Sequence, residues 1–274
     1  MTVPELDAAD AALPSDLPAV AERAARAGGD YLAAAFRDGA VDGEYDADDV
    51  KAVADREAER RVLDVIEAAY PDHGVHGEES GRRAGAGDGA DLEWIVDPLD
   101  GTNNFAAGLP AFATAVALCH WGDPLVAAVY EPLPDSLYLA VRGAGATVNG
   151  DPLDAPRDHD DALGLDRGTV SLVVGVDAVR DPALEARREA IRAALADRCK
   201  RVVQTWAPCV DWGLLARGSL EGMVCFHPDA YDYHAGRLLA AESGVAARES
   251  GPLYLGAPDP ELLEDLRAAV PVDA

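Results

Sequence analysis

Trp94-Ile95-Val96-Asp97-Pro98-Leu99-Asp100-Gly101-Thr102-Asn103-Asn104-Phe105 is the stretch on which the reading of this chain turns. Leu92 to Val96 is an apolar run of strand length, and the Asp-Pro pair behind it predicts that a buried strand stops at Asp97 and the chain turns. Two acids three apart mean little by themselves. With 50 acidic residues among 274, roughly nine such pairs arise by chance. Their setting carries the meaning. Asp97 and Asp100 at a strand end, with the Leu99 carbonyl between them, offer hard oxygen donors that suit Mg²⁺ or Mn²⁺. Gly101 lets the backbone come close to whatever Asp100 binds, and the Thr102 hydroxyl can orient a water. The competing reading is an acidic turn that caps the next helix.

Working outward, Ser15 to Arg37 reads as an amphipathic helix with Leu17, Val20, Ala24, Ala27 and Tyr31 near helical spacing. Asp48 or Asp49 can cap a second helix that runs to about Ala69 and is stopped by Pro71. Ala111 to Trp121, Pro124 to Tyr130 and Ser136 to Val141 are strand-like and joined by turn residues, which predicts antiparallel pairing. Asn149-Gly150 behind them is a hairpin signal, because both residues tolerate positive φ. Beyond an Asp-rich loop from Asp154 to Asp166, strand and helix alternate. Strands are expected at Val170 to Val176, Arg201 to Val203 and Gly222 to Phe226. Helices are expected at Pro182 to Ala196, Val210 to Ala216 and Asp232 to Ser243, the last ended by Gly244. The pattern is mixed α/β (α+β), with sheets layered by helices in one compact unit. It divides into an N-terminal metal-binding α+β half over residues 1–150 and a C-terminal α/β half over residues 151–274. Gly85 to Gly89 sits between acids, lacks a P-loop lysine and reads as a mobile loop.

Composition narrows the function. Hydrophobic residues make up 49% of the chain while the net charge is −27, and Lys51 and Lys200 are the sole lysines. An acidic skin with so little lysine suggests a halophilic protein kept soluble in concentrated salt; the blander reading is an acidic cytoplasmic protein from a GC-rich genome. Such a surface repels nucleic acid and anionic membrane, so neither is an expected partner. Cys119, Cys199, Cys209 and Cys225 form no C-x-x-C pair, which points to buried thiols in a reducing compartment. Met1 to Ser15 carries acids where a signal peptide would need a basic then apolar run. Gly101 to Gly122 lacks charge, but Asn103, Asn104, Gly108 and Pro110 leave its apolar part too short to span a bilayer. A soluble, cytoplasmic protein is expected. His73, His76, His227 and His234 have no further partners at zinc-site spacing.

With these residues in view, Trp94 to Phe105 resembles the signature of the inositol monophosphatase family, whose superfamily includes the fructose-1,6-bisphosphatases. Gly77-Glu78-Glu79-Ser80 is similar to the family's Gly-Glu-Glu-Ser. Asp49 to Asp55, followed by Glu57 and Glu59, is similar to its Thr-x-x-Asp segment. Tyr231-Asp232-Tyr233-His234-Ala235-Gly236 is similar to its second signature. The resemblance implies a layered αβαβα sandwich of the sugar-phosphatase type, a homodimer, and Mg²⁺-dependent hydrolysis of a small phosphorylated sugar or polyol. It implies two or three Mg²⁺ ions: Glu78, Asp97 and the Leu99 carbonyl would bind the first, Asp97, Asp100 and Asp232 the second, and a looser third would lie near Glu78. It further implies that Asp55 and Thr102 orient the attacking water and that the Gly101 and Thr102 amides contact phosphate, with Asp100 and Asp232 on the substrate side.

The chain departs from the family around the alcohol. Thr205-Trp206-Ala207-Pro208-Cys209 stands where members carry Gly-Ser and small residues, and Cys225 stands where animal inositol phosphatases place a substrate-binding glutamate. Asn103-Asn104-Phe105 favours the sugar and polyol group over nucleotide phosphatases, and archaeal-type members often handle both inositol phosphates and fructose 1,6-bisphosphate. A catalytically weak member acting as a regulatory partner is the reading from another class.

Overall fold

Leu17, Val20, Ala21, Ala24 and Ala25 recur at helical spacing and form the buried stripe of α1 (Leu17–Arg37). The structure, a computed structural model, describes residues 14–39, 43–45, 50–153 and 163–271. After α1 come β1 (Gly43–Tyr45), β2 (Val50–Ala52), α2 (Val53–Ala69), β3 (Gly74–Gly77), β4 (Gly81–Arg83), β5 (Leu92–Asp100) and α3 (Thr102–Ala107). A meander follows: β6 (Ala113–His120), β7 (Asp123–Glu131), β8 (Ser136–Val141), β9 (Gly145–Val148) and β10 (Asp151–Leu153). The remainder is β11 (Thr169–Val174), α4 (Val176–Arg180), α5 (Glu185–Arg198), β12 (Arg201–Val203), α6 (Pro208–Ala216), β13 (Gly222–Phe226), α7 (Ala230–Glu242), β14 (Ala246–Ser250), β15 (Leu253–Ala257) and α8 (Pro260–Ala269).

Two mixed sheets organise these elements, one of eight strands in the order β10-β9-β8-β7-β6-β5-β3-β4 and one of five in the order β12-β11-β13-β15-β14. Side-chain alternation assigns the layers. Trp94, Val96, Val116 and Leu118 face one way and pack with Leu17, Val20 and Ala24 of α1 and Val62 and Ile66 of α2. Their neighbours Ile95, Ala115 and Ala117 face the other way, onto Trp212 and Leu215 of α6 and Leu238 and Leu239 of α7. Those helices also pack on Met223, Cys225 and Tyr254 of the smaller sheet. The outer face of that sheet is covered by Ile191 and Leu195 of α5 and Leu262 and Leu266 of α8. The order is therefore α, β, α, β, α, the layering expected from the resemblance.

Several boundaries differ from the sequence reading. The second helix starts at Val53, because Val50–Ala52 pairs with Gly43–Tyr45 as a short hairpin; Asp48 and Asp49 lie outside the described residues, as does much of the Asp-rich loop. Gly85 to Gly89 carries a short 3₁₀ turn. Ala86 N–H donates to the Asp72 carbonyl at 2.8 Å, and a Cβ on Gly85 would come within 2.6 Å of the Gly89 carbonyl. Pro182 opens a single 3₁₀ turn, with α5 proper beginning at Glu185. The hairpin at Asn149-Gly150 forms as expected, with φ of 50° and 85° closing β9 onto β10. All four cysteines are free and buried. Among the described residues, no helix is long and apolar enough to cross a membrane.

Candidate metal centre and substrate cleft

Strand β5 does not stop at Asp97. It continues to Asp100 through a bulge against β6: Asp97 pairs with Ala115 and Asp100 with Ala113, so two residues on β5 lie opposite one on β6. The consequence is one of parity. Side chains three apart on a regular strand point to opposite faces, and one extra residue restores them to the same face. Ala113 and Ala115 both belong to the inner core beside α6 and α7, so Asp97 and Asp100 are turned together toward the middle helix layer. Local hydrogen bonds hold the irregular backbone. Thr114 Oγ1 donates to the Pro98 carbonyl at 2.9 Å, Leu99 N–H to Asp97 Oδ1 at 3.0 Å, and Thr102 Oγ1 to the Leu99 carbonyl at 2.9 Å. Gly101 then takes φ 87°, and a Cβ there would lie 2.8 Å from the Ala111 carbonyl and 3.0 Å from Ala207 Cβ. Glycine is required on both counts.

The middle layer supplies the facing groups. Asp232 lies in the first turn of α7, and the first turn of α6 directs the Cys209 N–H onto Asp100 Oδ2 at 2.8 Å. Asp97, Asp100 and Asp232 are all buried. Glu78 follows β3 at the mouth of the cleft, where its side chain keeps contact with solvent although protein surrounds it on most sides. Its position is set by Glu59 of α2, which is buried and accepts from Glu79 N–H and Ser80 N–H, both at 2.8 Å. Asp55, one turn earlier on α2, is buried on the Glu78 side of the site.

Burial and mutual repulsion push these carboxyls up. Glu78 rises to about 8, first through desolvation and then through Asp232 and Asp55. Asp97 and Asp100 lie well above the usual carboxylate range, through desolvation and then through Glu78 and Asp232 respectively. Asp232 rises to about 6, chiefly by burial, moderated by its contact with Asp97. Among the described residues, the charged neighbours that raise them are other acids, with no counter-charge in the cluster. An all-carboxylate set with one backbone carbonyl fits divalent Mg²⁺, which takes oxygen ligands and offsets this repulsion.

The acids open into a cleft of about 320 Å³. Its far wall comprises Leu172, Val174, Val176, Arg180 and Trp206. Trp206 is 49% exposed and holds φ at 58°, a conformation bulky residues avoid. Its neighbours pin it. Thr205 Oγ1 donates to buried Asp211 Oδ2 at 2.8 Å, and the Thr205 carbonyl accepts from Asn104 Nδ2 at 2.7 Å. Cys225, at the glutamate position of the animal enzymes, is buried in the core. The histidines serve other ends: His73 accepts from Trp94 Nε1 at 3.1 Å, and His76 contacts the Tyr231 hydroxyl at 3.1 Å, tying the segment beside Glu78 to the one beside Asp232. Sequence reasoning missed one group. Cys209 sits inside the acid cluster, its Sγ 3.8 Å from Asp232 Oδ1, and only its neighbourhood to the departing Trp206 segment hinted at it.

Residues 14–264 match the inositol monophosphatase family as described by its sequence model. The Nus factor SuhB of Pasteurella multocida is 33% identical over 240 residues, 86% of each chain. The Nus factor SuhB of Escherichia coli is 33% identical over 232 residues, 82% of each chain. Among solved structures, the extragenic suppressor protein suhB from Bartonella henselae superposes with a TM-score of 0.82 at 23% identity, covering 95% of this chain and 100% of that one. An inositol monophosphatase from Anabaena superposes with a TM-score of 0.75 at 25% identity, covering 93% and 96%.

Proposed function

The chain belongs to the inositol monophosphatase family, and on that premise we propose that it is a Mg²⁺-dependent phosphatase that hydrolyses a small phosphorylated sugar or polyol. The observation that carries the reading is the β5 bulge, which turns Asp97 and Asp100 onto one face opposite Asp232 and Glu78. Glu78, Asp97 and the Leu99 carbonyl would hold one ion; Asp97, Asp100 and Asp232 would hold a second; a third would lie near Glu78. Bound Mg²⁺ supplies the positive charge that makes a water nucleophilic and neutralises the phosphate and leaving oxygens. The protein does the positioning. Thr102 Oγ1 spends its proton on the Leu99 carbonyl, so its oxygen is left to accept a hydrogen bond from the attacking water, with Asp55 as the second acceptor. The first N–H groups of α3, beginning at Gly101 and Thr102, have no intrahelical partners and are suited to phosphate oxygens.

On the alcohol side, Trp206 offers a flat apolar face to the carbons of a ring, and Arg180 is the one cation among the described residues that line the cleft. Inositol 1-phosphate is the preferred reading. Fructose 1,6-bisphosphate is the alternative, its second phosphate directed to Arg180. A second function class rests on the relatives named Nus factors: a factor role that needs little catalysis, in which nucleic acid would be a partner despite the −27 charge. The test is phosphate release from both esters by purified protein. Release that requires Mg²⁺ and stops with a chelator is expected. Absence of release from either ester by protein that binds Mg²⁺ would overturn the enzymatic reading in favour of the factor role. A homodimer of cytoplasmic protein completes the proposal.

A further inference from the structure

The proposed reaction leaves one group in the site without a task, the thiol of Cys209. Resting on the metal-site reading above, we propose that Cys209 is a cation ligand, which lets the position between Asp100 and Asp232 take a thiophilic divalent ion, Zn²⁺ or Cd²⁺, in place of Mg²⁺. Asp100, Cys209 and Asp232 are all buried, and each offers one ligand atom within 4.8 Å of the others. A tetrahedral zinc with metal–sulfur and metal–oxygen bonds of about 2.3 and 2.1 Å needs its sulfur and oxygen ligands about 3.6 Å apart. Cys209 Sγ lies 3.8 Å from Asp232 Oδ1, so little movement is required. The thiol is held there. Its residue opens α6 behind Pro208, and its own N–H is bound to Asp100 Oδ2 at 2.8 Å.

The two kinds of ion use this corner differently. Mg²⁺ takes oxygen ligands at octahedral geometry, so the thiol stays protonated beside it as a neutral neighbour. A thiophilic ion forms a sulfur–metal bond as the S–H bond breaks, with the proton released to solvent. The surroundings favour positive charge at this point. Asp211 lines the same cleft, is 1% exposed, and keeps Oδ1 without a hydrogen-bond partner among the described residues. Of the four cysteines, Cys209 is the one that falls in this ligand group; Cys119 lies on β6, Cys225 on β13 and Cys199 just beyond α5. Substitution at Cys209 therefore isolates the effect.

The test is equilibrium dialysis of metal-free protein against Cd²⁺ and, separately, Mg²⁺, with ultraviolet difference spectra for sulfur-to-cadmium charge transfer. Wild type is expected to show the charge-transfer band and to bind Cd²⁺ at least about tenfold more tightly than Cys209→Ala, with Mg²⁺ affinity alike in both within about threefold. Cys209→Ser, which keeps the side-chain size, should also lose the band; it serves if the alanine variant folds poorly. Equal Cd²⁺ affinity in wild type and variants, or a band that persists in both variants, overturns the assignment of Cys209 while leaving the Mg²⁺ site standing. Wild type that binds neither ion overturns the metal reading itself.

Discussion

Replacing Asp100 by Asn separates catalysis from folding at a single atom. Asp100 is buried, accepts the Cys209 N–H at 2.8 Å, and is pushed well above the usual carboxylate range by desolvation, Asp232, Asp211 and Glu78. Asn keeps the size, and its Oδ1 can still accept from Cys209. What disappears is one negative charge shared with Asp97 and Asp232. The metal-free variant should therefore melt no lower than metal-free wild type, because neutralising one of several crowded acids relieves their repulsion. Turnover should fall at least about a hundredfold, roughly 3 kcal/mol of lost transition-state stabilisation. At Mg²⁺ about 100 times its Kd the wild type gains about 2.7 kcal/mol of stability, and each tenfold loss of affinity removes about 1.4 of it. Melting curves with and without Mg²⁺, beside kcat, read all three quantities. If Asp100 only capped the turn before α3, the variant would lose under about 1 kcal/mol in stability and keep near-normal turnover. That pattern would refute the reading of the central motif.

The same carboxyls make metal-free stability depend on pH. Their folded pKa values lie above the unfolded ones, so their contribution is fully present only below the unfolded values, 3.8 for Asp232 and 4.5 for Glu78, and is lost as pH rises through about 6 and about 8 respectively. Denaturant curves in chelator from pH 4 to 9 should show that decline and saturating Mg²⁺ should flatten it, whereas a chelator curve that rises with pH would contradict the carboxyl cluster. Trp206→Gly should stabilise the protein by up to about 1 kcal/mol by relieving φ 58° and yet raise KM for inositol 1-phosphate; an unchanged KM would remove Trp206 from the substrate wall. Finally, at −27 net charge, Tm should rise as KCl goes from millimolar to molar; a flat or falling Tm would leave the acidic surface as composition alone.

The layers and most of the candidate site could be read from the chain because they rest on local signals. Apolar periodicity marked α1, the β6 to β8 meander and the alternation from β11 to α7, and Asn149-Gly150 marked its hairpin to the residue. Glu78, Asp97, Asp100 and Asp232 were named from motif words alone, and the fold brings them to one cluster. What escaped depends on pairing across the sheet. The end of β5 was read at Asp97, since Pro98 removes a donor and an Asp-Pro pair usually breaks a strand. In the sheet, Thr114 Oγ1 donates to the Pro98 carbonyl, and β6 carries β5 on to Asp100. The short strands β1 to β4 were missed for a related reason, whereas α8 carries local signals, an Asp259 cap before Pro260, that the sequence reading passed over. β1, β2 and β4 span three residues each, β3 spans four, and such segments acquire strand geometry from their partners rather than from periodicity.

That bulge explains why two acids three apart, a commonplace spacing in so acidic a chain, can be a site here. On an unbroken strand Asp97 and Asp100 would point to opposite faces, one of them into the apolar layer with α1 and α2, where an unpaired carboxylate is costly. One extra residue puts both beside α6 and α7, whose N-terminal turns bring Cys209 and Asp232. The carboxylates therefore depend on a register feature that Thr114, Gly101 and Thr102 hold in place, and not on the motif's acids alone. Trp206 and Cys209 belong to a different constraint. Trp206 lies on the segment that joins β12 to α6, pinned by Asn104 and Asp211 from outside it, and Cys209 lies in the first turn of α6, so this stretch can vary the wall of the cleft and the group beside Asp232 while the bulge keeps the acids where they are.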